Sequence, residues 1–157
     1  MEESVTKTEL MHSASLFAGQ GYLCSEAVLL AVKAWWGVQD ELIPRIATGF
    51  GAGVGRQGSI CGALSGGIMA LGIQYGRDKP TTTNTPYWFA QELIRRFSAR
   101  FGTVTCRELT GCDLATEAGQ LKYEEEQIWT TKCHQYVEEV AGFVYDIVSE
   151  NSPSKHL

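Results

Sequence analysis

Residues 49–76 read GFGAGVGRQGSICGALSGGIMALGIQYG and divide into two halves. Gly49, Gly51, Gly53, Gly55 and Gly58 make the first half a loop with little side-chain bulk. From Ser59 to Tyr75 the residues are small and apolar, which predicts a buried central helix. Ser59 is a natural N-cap, since its hydroxyl can accept one of the unpaired amide protons of the first turn. Cys61 then falls in that first turn, where the positive end of the helix dipole favours thiolate over thiol. The expectation is that Cys61 is the most acidic thiol of the chain. At about seventeen residues the helix is shorter than the roughly twenty a membrane span needs, and Gly62, Gly66, Gly67 and Gly72 suit close helix packing instead.

Helical periodicity extends outward on both sides. Upstream, about Val5 to Ala18 places Leu10, Ala14 and Phe17 on one stripe. A second helix from about Tyr22 to Trp36 aligns Cys24, Ala27, Val28, Ala31 and Trp35, so Cys24 points inward near its start, and Gly37 supplies the stop. A short helix from about Pro44 leads into the glycine loop. Downstream, residues 77–85 form a polar linker, Thr85 and Pro86 open a helix, and Phe89, Leu93, Phe97 and Phe101 recur every fourth residue. Thr105 and Glu108 have capping-box spacing, which makes Cys106 the first residue of a short helix ending at Gly111. Gly111 to Glu126 is mixed, with Glu124, Glu125 and Glu126 a solvated face. A last helix from about Ile128 to Glu150 turns Cys133, Val137, Val140, Val144 and Ile147 inward. The expected fold is all-α: one domain over residues 1–150, five to seven helices around the Gly/Cys-containing helix, and a disordered tail over 151–157.

A chain of 157 residues with 44% hydrophobic content can bury a core. Its net charge of −5 carries no electrostatic footprint for nucleic acid. The opening MEESVTKTEL lacks the basic-then-apolar order of a secretory signal, so a cytoplasmic location is expected. In that compartment structural disulfides are rare, and the five cysteines are metal ligands, redox groups or small buried hydrophobes.

Gly53 to Gly58 matches GxGxxG and Asp78 lies twenty residues on, but the flanks are helical and a dinucleotide fingerprint needs a βαβ unit. Loop amides around Gly53, Gly55 and Gly58 beside Arg56 remain a candidate anion or cofactor cradle. There is no CxxC and no CxxCH. Nothing local pairs Cys61 with His134 as a protease dyad. What stands out is placement: Cys61 and Cys106 lie in first helical turns, Cys24 lies near one, and Cys24 and Cys133 occupy core-facing stripes.

These residues carry a resemblance. Cys24 in LCSEAVLLA, CGALSG from Cys61 to Gly66, Cys106 in FGTVTCRELTG and Cys133 in KCHQYVEEVAG resemble, in order, the family named for its C_GCAxxG_C_C cysteine pattern. The likeness runs from about Leu10 to Val148. It implies a small, mostly helical protein with a redox role for four characteristic cysteines, and Cys112 lies outside the pattern. Three functions follow as alternatives. Cys24, Cys61, Cys106 and Cys133 serve thiol/disulfide or electron-transfer chemistry, with Cys61 as attacking thiolate; or the same four hold an iron–sulfur cluster or zinc; or they are inert. Expected partners are a redox partner or small molecule, with no nucleic acid and no membrane span. Gly62, Gly66 and exposed tryptophans are compatible with a homodimer.

Overall fold

The computed structural model describes residues 4–80 and 84–152. Among these the chain is all-α, with eight α-helical segments and no strand, one helix beyond the expected range. They are α1 (Lys7–Gly19), α2 (Cys24–Trp36), α3 (Gly51–Val54), α4 (Gly62–Tyr75), α5 (Trp88–Phe101), α6 (Cys106–Thr110), α7 (Glu117–Glu125) and α8 (His134–Glu150). A 3-10 turn, Arg45–Phe50, leads into α3, and a π-helical turn, Trp129–Cys133, leads into α8. Residues 81–83 of the expected linker and 153–157 of the expected tail lie outside the described residues.

Local chemistry accounts for most of these boundaries. At α1 the Thr6 hydroxyl accepts from the Glu9 amide at 3.2 Å, and Glu9 accepts from the Thr6 amide at 2.7 Å, a reciprocal capping box. The Glu26 carboxylate serves α2 the same way by accepting from the Leu23 amide at 2.9 Å. Gly37, Gly102 and Gly111 end α2, α5 and α6 with left-handed backbones, φ 64°, 81° and 69°. Two starts differ from expectation. α5 begins at Trp88, because the Thr85 carbonyl accepts from the Tyr87 amide in a turn of its own. α7, opened by the Thr116 hydroxyl accepting from the Gly119 amide at 3.0 Å, has no apolar stripe to announce it.

The expectation of a central helix holds, for α4 packs against α2, α5 and α8. Leu64, Ala70 and Leu71 on α4 are fully buried, as are Val28 on α2, Phe97 on α5 and Val140 on α8. Gly66 is what lets α2 come so close: a Cβ there would overlap the backbone carbonyl of Ser25. Glycine costs a helix up to about 1 kcal/mol relative to alanine, and here the cost is offset by helix–helix contact. Gly66 thus serves packing within the chain. No helix among the described residues is long and apolar enough to cross a membrane.

The start of α4 corrects the sequence expectation. Ser59 is not the cap; Cys61 occupies the N-cap position with φ −53° and ψ 130°, and α4 begins at Gly62. The reason is non-local. An isolated antiparallel bridge pairs Ile60 with Thr105, with the Cys61 amide donating to Val104 O at 2.8 Å and the Cys106 amide to Ser59 O at 2.7 Å. Drawn out against residues 104–106, Ser59 and Ile60 cannot be helical.

The glycine loop is also more ordered than a loop. Ala52, Gly53, Val54, Gly55 and Arg56 have φ of 56°, 68°, 63°, 60° and 67° in succession. With the Gly55 amide donating to Gly51 O at 3.0 Å, this is one turn of left-handed helix. Such a turn costs an L-residue about 1–2 kcal/mol, and three of the five are not glycine. It is held between the starts of α2 and α6. Gly51 lies against Leu23, and at Gly53 a Cβ would stand 2.6 Å from the Cys106 Cβ.

A cavity walled by four cysteines

The bridge, the left-handed turn and the close α2–α4 contact all act at one place. Cys24 is the first residue of α2, Cys61 caps α4, Cys106 is the first residue of α6, and Cys133 is the last residue before α8. All four line one cavity of about 300 Å³. Three long helices, α2, α4 and α8, therefore begin at this cavity and run away from it. Side chains alternate across extended backbone, so Cys61 and Cys106, each one residue past the bridged pair, face the same side of it.

Cys24 and Cys61 meet at the start of α4. The Cys24 sulfur occupies the space that a side chain at Gly62 would need, and Phe50 O would lie 3.0 Å from the same Cβ. Both sulfurs face the backbone amide of Ala63, and Cys24 also faces that of Ala52 in the left-handed turn. Cys133 accepts a hydrogen bond from the Tyr123 hydroxyl at 3.3 Å. All five cysteines are free thiols. Cys112 is buried away from the cavity lining, its thiol donating to the carbonyl of Thr110 at 3.5 Å.

Electrostatically the cavity is hostile to charge. Desolvation is the largest influence on each of its thiols and raises all four: Cys106 to about 11 and Cys133 to about 12, with Cys24 and Cys61 also displaced upward. The expected acidity of Cys61 is not found. Amides of Ala63 and Leu64 do favour its thiolate, but at 6% exposure desolvation outweighs them, and Cys24 nearby adds to the rise. Burial likewise raises the Tyr123 phenol, which stays a donor.

Of the loop residues proposed to cradle an anion, Arg56 lines the cavity from an exposed position, whereas Gly53 backs onto Cys106, Gly58 abuts Arg107 and Gly55 stands outside the lining. The amides of Gly55, Gln57 and Ser59 donate within the loop, to Gly51, Val54 and Gly53. His134 turns its ring edge to Trp129, 5.1 Å between centroids, and is not part of the lining. Among the described residues no three His, Cys, Asp or Glu side chains stand close enough to hold a metal ion. In this arrangement the thiols wall a cavity. Sequence reasoning missed Tyr123, Gln120 and Glu124, which α7 brings to the lining. The only signal for α7 was its Thr116 cap.

Fold and site together define a class: an all-α protein whose helix starts converge on a buried cluster of thiols. The chain belongs to the C_GCAxxG_C_C family, whose model, described as "Putative redox-active protein (C_GCAxxG_C_C)", matches residues 22–147. No curated protein and no solved structure is matched by the chain.

Proposed function

We propose that the protein is a thiol–disulfide redox protein in which Cys24 and Cys61 interconvert between dithiol and disulfide, with Cys106 and Cys133 completing the set around the cavity. The observation that carries this reading is the Cys24 sulfur seated where Gly62 lacks a side chain, next to Cys61. Glycine after Cys61 is then a requirement of the pair, because a Cβ there would take the place of the Cys24 sulfur. On oxidation both S–H bonds break, one S–S bond forms, and two electrons and two protons pass to the acceptor. Both residues line the cavity, so an oxidant that enters it reaches the pair.

The test is oxidation of the reduced protein with diamide, a small uncharged thiol oxidant, followed by thiol counting and peptide mapping. The free-thiol count should fall by two from five, with Cys24 linked to Cys61, and Cys24→Ser or Cys61→Ser should each abolish the drop. Cys112→Ser should still lose two. A Cys106–Cys133 link would overturn the pair assignment, and five surviving thiols would mean inert cysteines. Sulfur-to-metal charge-transfer absorption in an anaerobic preparation would make the four thiols ligands instead.

A further inference from the structure

Resting on the dithiol reading, we propose that the acceptor which enters this cavity is a small, uncharged, largely apolar quinone and not a peptide or glutathione disulfide. The walls argue for it. The polar side chains of the lining are mostly satisfied by the protein itself. Thr110 donates to Cys106 O at 2.7 Å, Gln120 to Leu114 O at 2.9 Å, and Tyr136 to Leu109 O at 2.9 Å. The remaining surface is made by aliphatic and aromatic side chains such as Leu114 and Trp129. Arg56 and Glu124, the charged residues of the lining, are both exposed and of opposite sign, so no net fixed charge waits inside for an ionic ligand. Ligand pockets run from roughly 300 to 1,000 Å³, and this one sits at the lower bound. That volume suits a single substituted ring.

The reaction fits the same environment. Thiol–disulfide exchange needs a thiolate to attack, and the burial of these sulfurs works against one. Reduction of a quinone by two thiols balances inside the cavity: the S–H bonds of Cys24 and Cys61 break, their S–S bond forms, and the electron pair and both protons end on the two quinone oxygens as hydroquinone. The quinone oxygens can take each proton as the electrons arrive, so neither reactant nor product is an isolated ion, which is expensive in an apolar space. The Tyr123 hydroxyl, whose hydrogen bond ends on the Cys133 sulfur, is a lining donor placed to turn to a carbonyl oxygen of the guest.

The experiment uses the full-length reduced protein without oxygen and compares duroquinone, whose fully substituted ring cannot form a thioether adduct, with glutathione disulfide at equal concentration. Readouts are hydroquinone formation, thiols lost and intact mass. Duroquinone should remove two thiols per hydroquinone formed, with no adduct mass, faster than glutathione disulfide by roughly tenfold or more, the order of discrimination an apolar pocket gives. Leu114→Phe, which narrows the cavity, should slow oxidation by duroquinone. Should Leu114→Phe fail to fold, the comparison of the two oxidants on the unaltered protein decides alone. Equal or faster oxidation by glutathione disulfide, or an unreactive duroquinone, overturns the inference while a diamide-formed link leaves the dithiol standing. Failure of diamide as well removes both.

Discussion

At the scale of single residues, the site depends on one absent side chain and one hydroxyl. Gly62→Ala places a methyl group against the Cys24 sulfur and near Phe50 O. Overpacking of this kind costs about 1–3 kcal/mol, so chemical denaturation should show that loss together with slower closure of the Cys24–Cys61 disulfide. A variant with unchanged stability and unchanged closure would show that the sulfur has room elsewhere. Tyr123→Phe removes the donor to Cys133. That bond favours the thiolate, so without it the Cys133 pKa moves further above about 12. Hydrogen bonds to charged groups are worth about 1.5–3 kcal/mol and a pKa unit is about 1.4. Iodoacetamide labelling of Cys133 at about pH 9 should therefore drop roughly tenfold, with Cys106 unaffected; equal slowing of both would indicate general disruption. The four cavity cysteines were readable in the sequence because each stands at a helix start or on an inward stripe. Tyr123 was not, because α7 carries no apolar periodicity and its phenol matters only through a sulfur on another element.

At the scale of elements, the left-handed turn is the costly one. The alternating glycines read as a loop without bulk, yet Ala52, Val54 and Arg56 share their positive φ, and residue type alone announces no such strain. Its cause is tertiary: Ala52 presents its amide to Cys24 while Gly53 clears space for Cys106. Val54 is β-branched, 38% exposed and strained at φ 63°, so Val54→Gly should raise stability by up to about 1 kcal/mol. Gly53→Val should do the reverse, by more, because its side chain meets Cys106 and the Ser59 backbone. Thermal melts of the two variants should move in opposite directions; a shared direction would mean that the turn is not strained. The misplaced start of α4 has a similar origin. Ser59 is a good local cap, but a bridge to Thr105, distant in sequence, took its backbone first.

At the scale of the whole molecule, the raised thiols link stability to pH. Their folded values lie above those of an unfolded chain, so between the two the folded state holds protons that the unfolded state has released. The contribution is present in full below about pH 8.5 and is lost as pH rises through 11 to 12, where Cys106 and Cys133 ionise in the fold. Each such thiol adds a slope of up to about 1.4 kcal/mol per pH unit. Melting temperature should therefore fall steeply between about pH 8.5 and 10.5, and Cys106→Ser with Cys133→Ser should flatten the fall. A flat wild-type profile would mean that the thiols are wetter than their burial indicates.

Cys112, shut behind Thr110 and apart from the cavity wall, makes the total number of sulfhydryls odd. However the four others pair, at least one thiol is left over, so every redox titration of this protein carries its own internal standard. A sample that reads three carries the Cys24–Cys61 disulfide alone, and a sample that reads zero has been damaged or cross-linked between molecules.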